Sequence, residues 1–531
     1  MPHTPSPLTI AIAACCLATT PLWAQDTVWR DAPNLLSGAV PSYSTDDGAT
    51  FSAERPGLLP RAETRVTIEL PFAMTAAAHS VVAADRTPSL ALYHDQRDML
   101  RRLRVRLNGQ EVSPPLDSMI FATLPDVDAT LLRQGDNVLR VEMTVWNGSR
   151  QDTIPFEPTI ALVLRHSSEI GFSIGPVLGA FDDDAFTVSS RTNLPARMSV
   201  YRTRDGASHD DGTLMRRVGT TEHGLLHRLR VPRMSPDDDG SYVVVAERDG
   251  FTVGSPVPTP IEPGAVTRFI VVGDSRTNVA LWQAVAAAIA RRRPELVLHL
   301  GDLVTSGRRD WEWEAEFWRP AAGLLGSVPF YPVIGNHEAD APLYDALFTG
   351  PSADGGARNW AQHFGDVLVI GTDGGQDWSK KSENARWLDT TLAASDATFR
   401  FLLTHYPGWS SAGHGRLATD GKPAERQARE TRESVIPILA RHGGTAIIAG
   451  HDHVYERSEL PGGMTAVTCG GGGAGMYGKT AEAERQNPYS VHFADRHHFC
   501  VFELGRDGVT MRVVTVDDEV IDERTWPWRV D

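Results

Sequence analysis

The chain has 531 residues, more than one hydrophobic core supports, so two to four domains are expected. Hydrophobic residues make up 41% and charged residues 22%, the balance of a globular protein rather than a disordered or fibrous one. A formal net charge of -16 argues against nucleic acid or an anionic membrane as partner, but not against small phosphate esters, which respond to the local field of a site and its metals.

Leu8 to Leu17 is a short apolar stretch followed by Thr19-Thr20-Pro21-Leu22-Trp23-Ala24. It is too short to span a bilayer and fits the core of a secretory signal over residues 1–24, with cleavage near Ala24-Gln25. Secreted or periplasmic location is therefore expected. Ile12-Ala13-Ala14-Cys15 also fits a lipoprotein cleavage pattern, ranked second because the apolar stretch before Cys15 is very short. Of the remaining cysteines, Cys469 and Cys500 lie in apolar strand-like contexts. In an exported protein they either pair as a disulfide or stay as two buried thiols, and both readings stand.

From residue 26 to 168 the pattern is β. Val66, Ile68, Leu70 and Phe72 alternate with polar residues, as do Leu103, Val105 and Leu107, and later Leu139, Val141, Met143 and Val145. Asn108-Gly109 is a strong hairpin signal, and Gly135-Asp136-Asn137 opens the next strand. The expectation is a jelly-roll-like β-sandwich, loosely similar to those beside glycosidase catalytic domains. A structural or docking module, with a ligand in the cell envelope, is preferred to a sugar-binding one. Residues 169–263 read as a second sandwich, with strands at Phe186 and Val188, at Ala196, Met198 and Val200, at Leu229 and Val231, and at Tyr242 to Val245. Turn clusters such as Ser235 to Gly240 suit a fibronectin-like domain, and Gly254 to Pro260 reads as a Pro-rich linker. Asn147-Gly148-Ser149 matches a glycosylation sequon and means little unless the host is eukaryotic.

From residue 264 to 531 strand and helix alternate. Trp282, Val285, Ala286 and Ile289 follow helical spacing, with further helices expected over Trp311–Leu325, Ser382–Ala393 and Thr431–His442. The expected architecture is an α/β domain of four layers, its helices covering a largely parallel sheet and the tail from His498 to Val516 closing a second sheet. Trp311, Trp313 and Trp318 are expected to pack a helix rather than to bind a ligand.

Five short apolar runs in this part end in polar residues able to bind a metal: Gly273-Asp274, Gly301-Asp302, Gly335-Asn336-His337-Glu338, His405, and Gly450-His451-Asp452-His453. Each set lies just beyond a strand end, where open α/β sheets place their sites. Neutral imidazole is a common transition-metal ligand, and Gly450 permits the turn that brings two imidazoles to one point.

With these motifs aligned, residues 264–531 resemble the calcineurin-like metallophosphoesterases, and most closely the purple acid phosphatase branch, which also carries a fibronectin-like domain ahead of the catalytic one. The resemblance implies two transition-metal ions (Fe, Zn or Mn) roughly 3.5–4 Å apart and hydrolysis of a phosphate ester by metal-bound hydroxide. It assigns Asp302 as the bridging carboxylate, Asn336, His405 and His451 to the second metal, and Asp274 and His453 to the first. His337 matches the residue that stabilises the transition state or protonates the leaving group, and His414 another phosphate contact. Two positions depart from the family. Arg276 stands where many members have a histidine ligand, and Thr305 where the purple branch has a tyrosine. Arg276 reads either as a phosphate clamp or as the partner of a nearby carboxylate. The resulting expectation is an asymmetric site with a well-held second metal and a weak or absent first one, giving one or two ions per chain. His363, Asp373, His492, His497 and His498 are expected to be structural, and Gly470 to Gly473 a tight turn beneath the site. The implied activity is that of an acid phosphatase on monoesters. A phosphodiesterase or nucleotidase, or a non-catalytic binding protein with a degenerate first-metal site, are the alternatives.

Overall fold

The computed structural model describes residues 34–528, except 61–62, 83–85, 94–99, 113–122, 125–126, 147–152, 157–158, 183, 204–215, 235–239, 259–265, 339 and 352–357. The signal segment with Cys15, the sequon at Asn147, and most of the Ser235–Gly240 turn lie outside the described residues. Among those described, no helix is long and apolar enough to cross a membrane.

The N-terminal part is β-rich and antiparallel. One sheet runs in the order Ser42–Ser44, Glu63–Met74, Gly135–Trp146, Leu100–Leu107, Gln110–Glu111. Another joins Thr159–His166, Arg86–Tyr93 and Thr123–Leu124. The alternation read from the sequence is what buries them: Ile68, Val105, Leu139 and Val141 from the first sheet share one core with Leu90, Leu162 and Leu164 from the second. Asn108 and Gly109 form the expected hairpin turn, both at positive φ (52° and 85°). Asn108 also donates to the Leu131 carbonyl and accepts from Val138, so the turn residue ties two loops together.

The next β region differs from the expectation in one respect. The runs around Phe186 and around Met198 are not separate strands but one strand of 19 residues, Ala185–Thr203. Its first half pairs with Phe172–Phe181, its second half with Ser241–Arg248, and the register breaks between Arg191 and Ala196. Pro195 sits at that break, where the missing N–H costs no ladder bond.

Two mixed sheets follow. The first has the order Phe330–Pro332, Leu296–His299, Arg268–Val272, His498–Gly505, Gly508–Thr515, Val520–Pro527. The second runs Trp360–Phe364, Val367–Gly371, Phe399–Thr404, Ala446–Ala449, Thr465–Cys469, Tyr455–Glu459, Ser490–Ala494. Parallel pairing is confined to the strands that lead into the candidate site and to Val367–Gly371 and Thr465–Cys469 beside them, so "largely parallel" describes the middle and not the flanks. The tail also lies elsewhere than expected: His498–Gly505 extends the sheet holding the first Gly-Asp motif and does not close the other. Its alternation explains the choice. Cys500 and Phe502 enter the core between the sheets, while Phe499 and Val501 face the helix Val279–Arg291.

That alternation is general. Phe269, Val271, Leu298, Phe401, Leu403 and Ile448 pack between the two sheets. Ile270, Val272 and Val297 pack instead with Trp282, Val285 and Ile289 of the first helix, and Leu402 and Ile447 with Leu388, Leu392 and Leu439. Helices occupy all four expected places, with changes of winding. The Trp311–Leu325 stretch contains a π-helical segment, Trp313–Trp318, and Arg426–Arg441 another at Thr431–Val435. Trp313 and Trp318 are buried core residues and Trp311 packs against the same core, as expected.

Of the two readings open for Cys469 and Cys500, the structure has the buried free thiols and not the disulfide. Their sulfurs are 3.3 Å apart, across the junction of the two sheets and well beyond the ~2.0 Å of a bond.

Gly301 tests the tightness of the strand ends. It sits at φ 88°, and a Cβ there would lie 2.6 Å from the Gly335 nitrogen and 3.0 Å from the His405 ring. Gly301→Ala should cost about 2 kcal/mol or more in denaturant unfolding, whereas Gly323→Ala, with open space around it, should be neutral or mildly stabilising.

Candidate metal centre

Asp274 follows strand Arg268–Val272, Asp302 follows Leu296–His299, Asn336 and His337 follow Phe330–Pro332, His405 follows Phe399–Thr404, and His451 and His453 follow Ala446–Ala449. These strands belong to both sheets, so the site forms where the two sheets present their ends to each other. Asp274, His405 and His453 are buried, as are Asp302 and His451.

Each imidazole is oriented by the partner of its other nitrogen. His405 Nδ1 donates to the Leu300 carbonyl at 2.8 Å, which leaves the Nε2 lone pair facing the site. His453 Nδ1 likewise donates to the Gly475 carbonyl at 2.8 Å. His451 is held in the opposite sense: its Nε2 meets Glu425 Oε2 at 3.0 Å, freeing Nδ1. Burial pushes His451 and His453 down to about 4, so both are neutral near pH 7 and able to ligate.

The freed atoms converge. His405 Nε2 lies 3.1 Å from His451 Nδ1, 3.0 Å from Asn336 Oδ1 and 3.3 Å from Asp302 Oδ1. With both tautomers set by their outer partners, all four atoms are acceptors and none supplies a proton to another. Lone pairs brought this close around the buried Asp302, His405 and His451 repel unless a cation lies among them; Asn336 meets them from the exposed side. Asp302, His405 and His451 have spacing suited to a metal ion, and nitrogen and oxygen donors together suit Zn, Mn or Fe. This half of the site fits the second metal that the sequence implied. Burial works against ionising Asp302, but His405, His337 and Arg276 outweigh it and hold its carboxyl below the usual range.

The other half is different. Arg276 Nε donates to Asp302 Oδ2 at 3.1 Å, and Nη2 donates to His453 Nε2 at 3.3 Å. Asp274 Oδ1 is 3.6 Å from His453 Nε2, and the Asp274 carboxylate accepts the His451 backbone N–H. Thr305 does not stand in for a tyrosinate, because its hydroxyl donates to Glu316 Oε1 at 2.6 Å. Burial, then Asp302, raises Asp274 well above the ordinary carboxyl range.

His337 and His414 border the second-metal donors. His337 Nδ1 donates to the Thr305 carbonyl at 2.7 Å, and its Nε2 is 3.9 Å from Asp302 Oδ2. His414 packs against His451 with the rings tilted by 43° and centroids 3.8 Å apart, and its Nδ1 meets Glu425 Oε1 at 2.5 Å. Burial opposes charging His414, but Glu425 and Asp452 outweigh it and raise its pKa. The remaining histidines stay out of the site: His363 bonds Ser395, His492 lies near Asp522, and His497 and His498 bond backbone carbonyls. Asp373 pairs with Arg358. Gly470 packs tightly below the site, a Cβ there falling 2.3 Å from the Asp452 carbonyl oxygen.

The sequence profile described as "Calcineurin-like phosphoesterase" matches residues 267–455. Tartrate-resistant acid phosphatase type 5 of Rattus norvegicus is 34% identical over 256 residues, spanning 40% of this chain and 73% of its own. The Sus scrofa protein of that name is 23% identical over 267 residues, spanning 41% and 74%. This chain belongs to the calcineurin-like metallophosphoesterases. Within that family it is related to the purple and tartrate-resistant acid phosphatases, including the "probable inactive purple acid phosphatase 24" of Arabidopsis thaliana, 23% identical over 186 residues, spanning 31% of this chain and 29% of that one. The purple acid phosphatase PPD1 of yellow lupin (Lupinus luteus) seeds shares the fold, with a TM-score of 0.59 at 14% identity over 88% of this chain and 95% of its own.

Three side chains of this metallophosphoesterase site escaped the sequence reading. Tyr406 packs edge-on against His405 and His451, and Tyr477 stacks on His453 at 4.2 Å. The third is Glu425, which holds His451 and His414 together from a loop that no motif marks. Orienting carboxylates of this kind typically change metal affinity 10- to 100-fold. Glu425→Gln should therefore weaken metal binding by about that factor in a chelator competition, with thermal stability nearly unchanged.

Proposed function

We propose that this chain is a metal-dependent phosphoesterase of acid phosphatase type, acting on phosphate monoesters outside the cytoplasm. The observation that carries the reading is the convergence of His405 Nε2, His451 Nδ1, Asn336 Oδ1 and Asp302 Oδ1 without a proton among them, beside His337. Asp302, Asn336, His405 and His451 would hold the ion, which when bound supplies Lewis-acid stabilisation of a phosphoryl group and a nucleophile near neutral pH. His337, half-buried and fixed through Nδ1, is suited to contact the phosphoryl oxygens or give a proton to the leaving oxygen from Nε2. His414 would do the same from beside His451, oriented by Glu425.

The domain reading belongs to the same proposal: a jelly-roll-like sandwich over 26–168 as a docking module, a fibronectin-like one over 169–263, and a four-layered catalytic domain over 264–531. The apolar Leu8–Leu17 stretch supports export. Cleavage of phosphodiesters or nucleotides on the same site is the variant that the pocket walls would select. One observation favours a non-catalytic binding protein instead: the Arg276 guanidinium holds two first-metal donors in a family with relatives described as probably inactive.

An aryl phosphate monoester and the matching diester, assayed on metal-reconstituted protein, separate these readings. Monoester turnover should exceed diester turnover, should vanish in His451→Ala, and should fall about 10²-fold or more in kcat in His337→Ala. Diester preference would change the substrate class. No turnover of either across pH and metals would favour the binding protein.

A further inference from the structure

We infer that the Arg276 guanidinium takes the place of one of the two metal ions, so that this chain holds a single ion beside a fixed organic cation. The inference rests on the metallophosphoesterase reading of the second-metal donors but not on turnover.

The first-metal half offers too few free lone pairs for an ion. A tetrahedral or larger coordination shell needs four or more donors at about 2.0–2.3 Å. Five positions are in question: Asp274, Asp302, His453, and the family's histidine and tyrosine positions. The last two carry Arg276 and Thr305, and the Thr305 hydroxyl is committed to Glu316 Oε1 at 2.6 Å. Among the three that remain, Asp302 Oδ2 accepts Arg276 Nε and His453 Nε2 accepts Arg276 Nη2. Only the buried Asp274 carboxylate is untouched by the guanidinium, and it already accepts the His451 backbone N–H.

The guanidinium is well held for such a role. Nη1 donates to Thr277 Oγ1 at 3.2 Å, so all three of its nitrogens are engaged and its plane is fixed. Its charge compensates Asp302 within a water-poor site, as an ion would, but unlike an ion it cannot dissociate. One N–H on each terminal nitrogen has no protein partner among the described residues. With the side chain 16% exposed, these remain able to meet a phosphoryl oxygen. The clamp and the carboxylate partner considered from the sequence are thus two faces of one group.

Metal counting decides the matter. Protein stripped with chelator, reloaded with excess Mn or Zn and desalted, should contain one ion per chain by mass spectrometry. Arg276→His, which restores the family's donor and removes the cation, should contain two, and His451→Ala should lose most of its metal. Two tightly held ions in the unaltered protein would overturn the inference, as would Arg276→His remaining at one. Should Arg276→His fail to fold, the count on the unaltered protein decides alone. Aryl phosphate turnover on the same samples keeps the two readings apart. One ion without turnover would leave the inference standing and remove the phosphatase, whereas turnover with two ions would do the reverse.

Discussion

The site depends on an electrostatic conflict built into the fold. The buried His405, His451 and Asp302 direct acceptor atoms at one another, the amide oxygen of the exposed Asn336 joins them, and the protein enforces this by satisfying the outer nitrogens of the two imidazoles elsewhere. Leu300 and Glu425 fix the two imidazole tautomers. In the first-metal half Arg276 relieves most of this conflict by donating to Asp302 and His453, leaving Asp274 Oδ1 3.6 Å from His453 Nε2. The asymmetry therefore follows chiefly from Arg276, two places after Asp274, with Thr305 turned to Glu316 beside it.

The N-terminal β regions are coupled to this arrangement through a chain of charged groups. Arg191, at the register break of the long strand, forms a buried pair with Asp310 at 3.0 Å. Asp310 begins the segment whose π-helical turn carries Glu316. Glu316 in turn accepts from the Thr305 N–H and hydroxyl and from the Thr277 N–H, holding the loops that follow Asp302 and Asp274. Tyr331 adds a second tie by donating to the Gly179 carbonyl at 3.1 Å. Buried pairs of this kind lose several kcal/mol when one partner is removed, which makes the β region part of what positions the site.

The motifs were legible because each ligand is covalently next to the strand that places it. A short apolar strand followed by a glycine and a donor located Asp274, Asp302, Asn336 and His451, with His453 two places on, and a strand ending directly in a histidine located His405, all without tertiary information. Glu425, Tyr406 and Tyr477 reach the site from loops, where nothing local distinguishes a residue that turns inward from one that does not. The same limit hid the sheet to which His498–Gly505 belongs, since period-two alternation with both faces buried fits either sheet. The strand Ala185–Thr203 likewise read as two runs, around Phe186 and around Met198, because the partner strands that carry the chain through Arg191 to Ala196 are not visible in local sequence.

The glycines before Asp274, Asp302 and His451 have a physical reason that ties motif to geometry. Asp274, Asp302 and His451 all adopt positive φ (61°, 58° and 70°), a conformation that costs a non-glycine residue roughly 1–2 kcal/mol. The preceding glycines let the strand ends come close enough to meet: a Cβ on Gly450 would fall 2.5 Å from Asp274 Oδ2, and one on Gly273 2.9 Å from Leu300 Cβ. Backbone strain of this size persists only where other bonds offset it. Glu338, fully buried, accepts the N–H groups of Asp302, Leu303 and Gly335, and Asp274 accepts that of His451. Carboxylates thus hold the strained turns as well as face the centre. Glu338 is not among the ligands, and Arg276 accepts none of these N–H groups, so a change at position 276 leaves the hold on the strained turns in place.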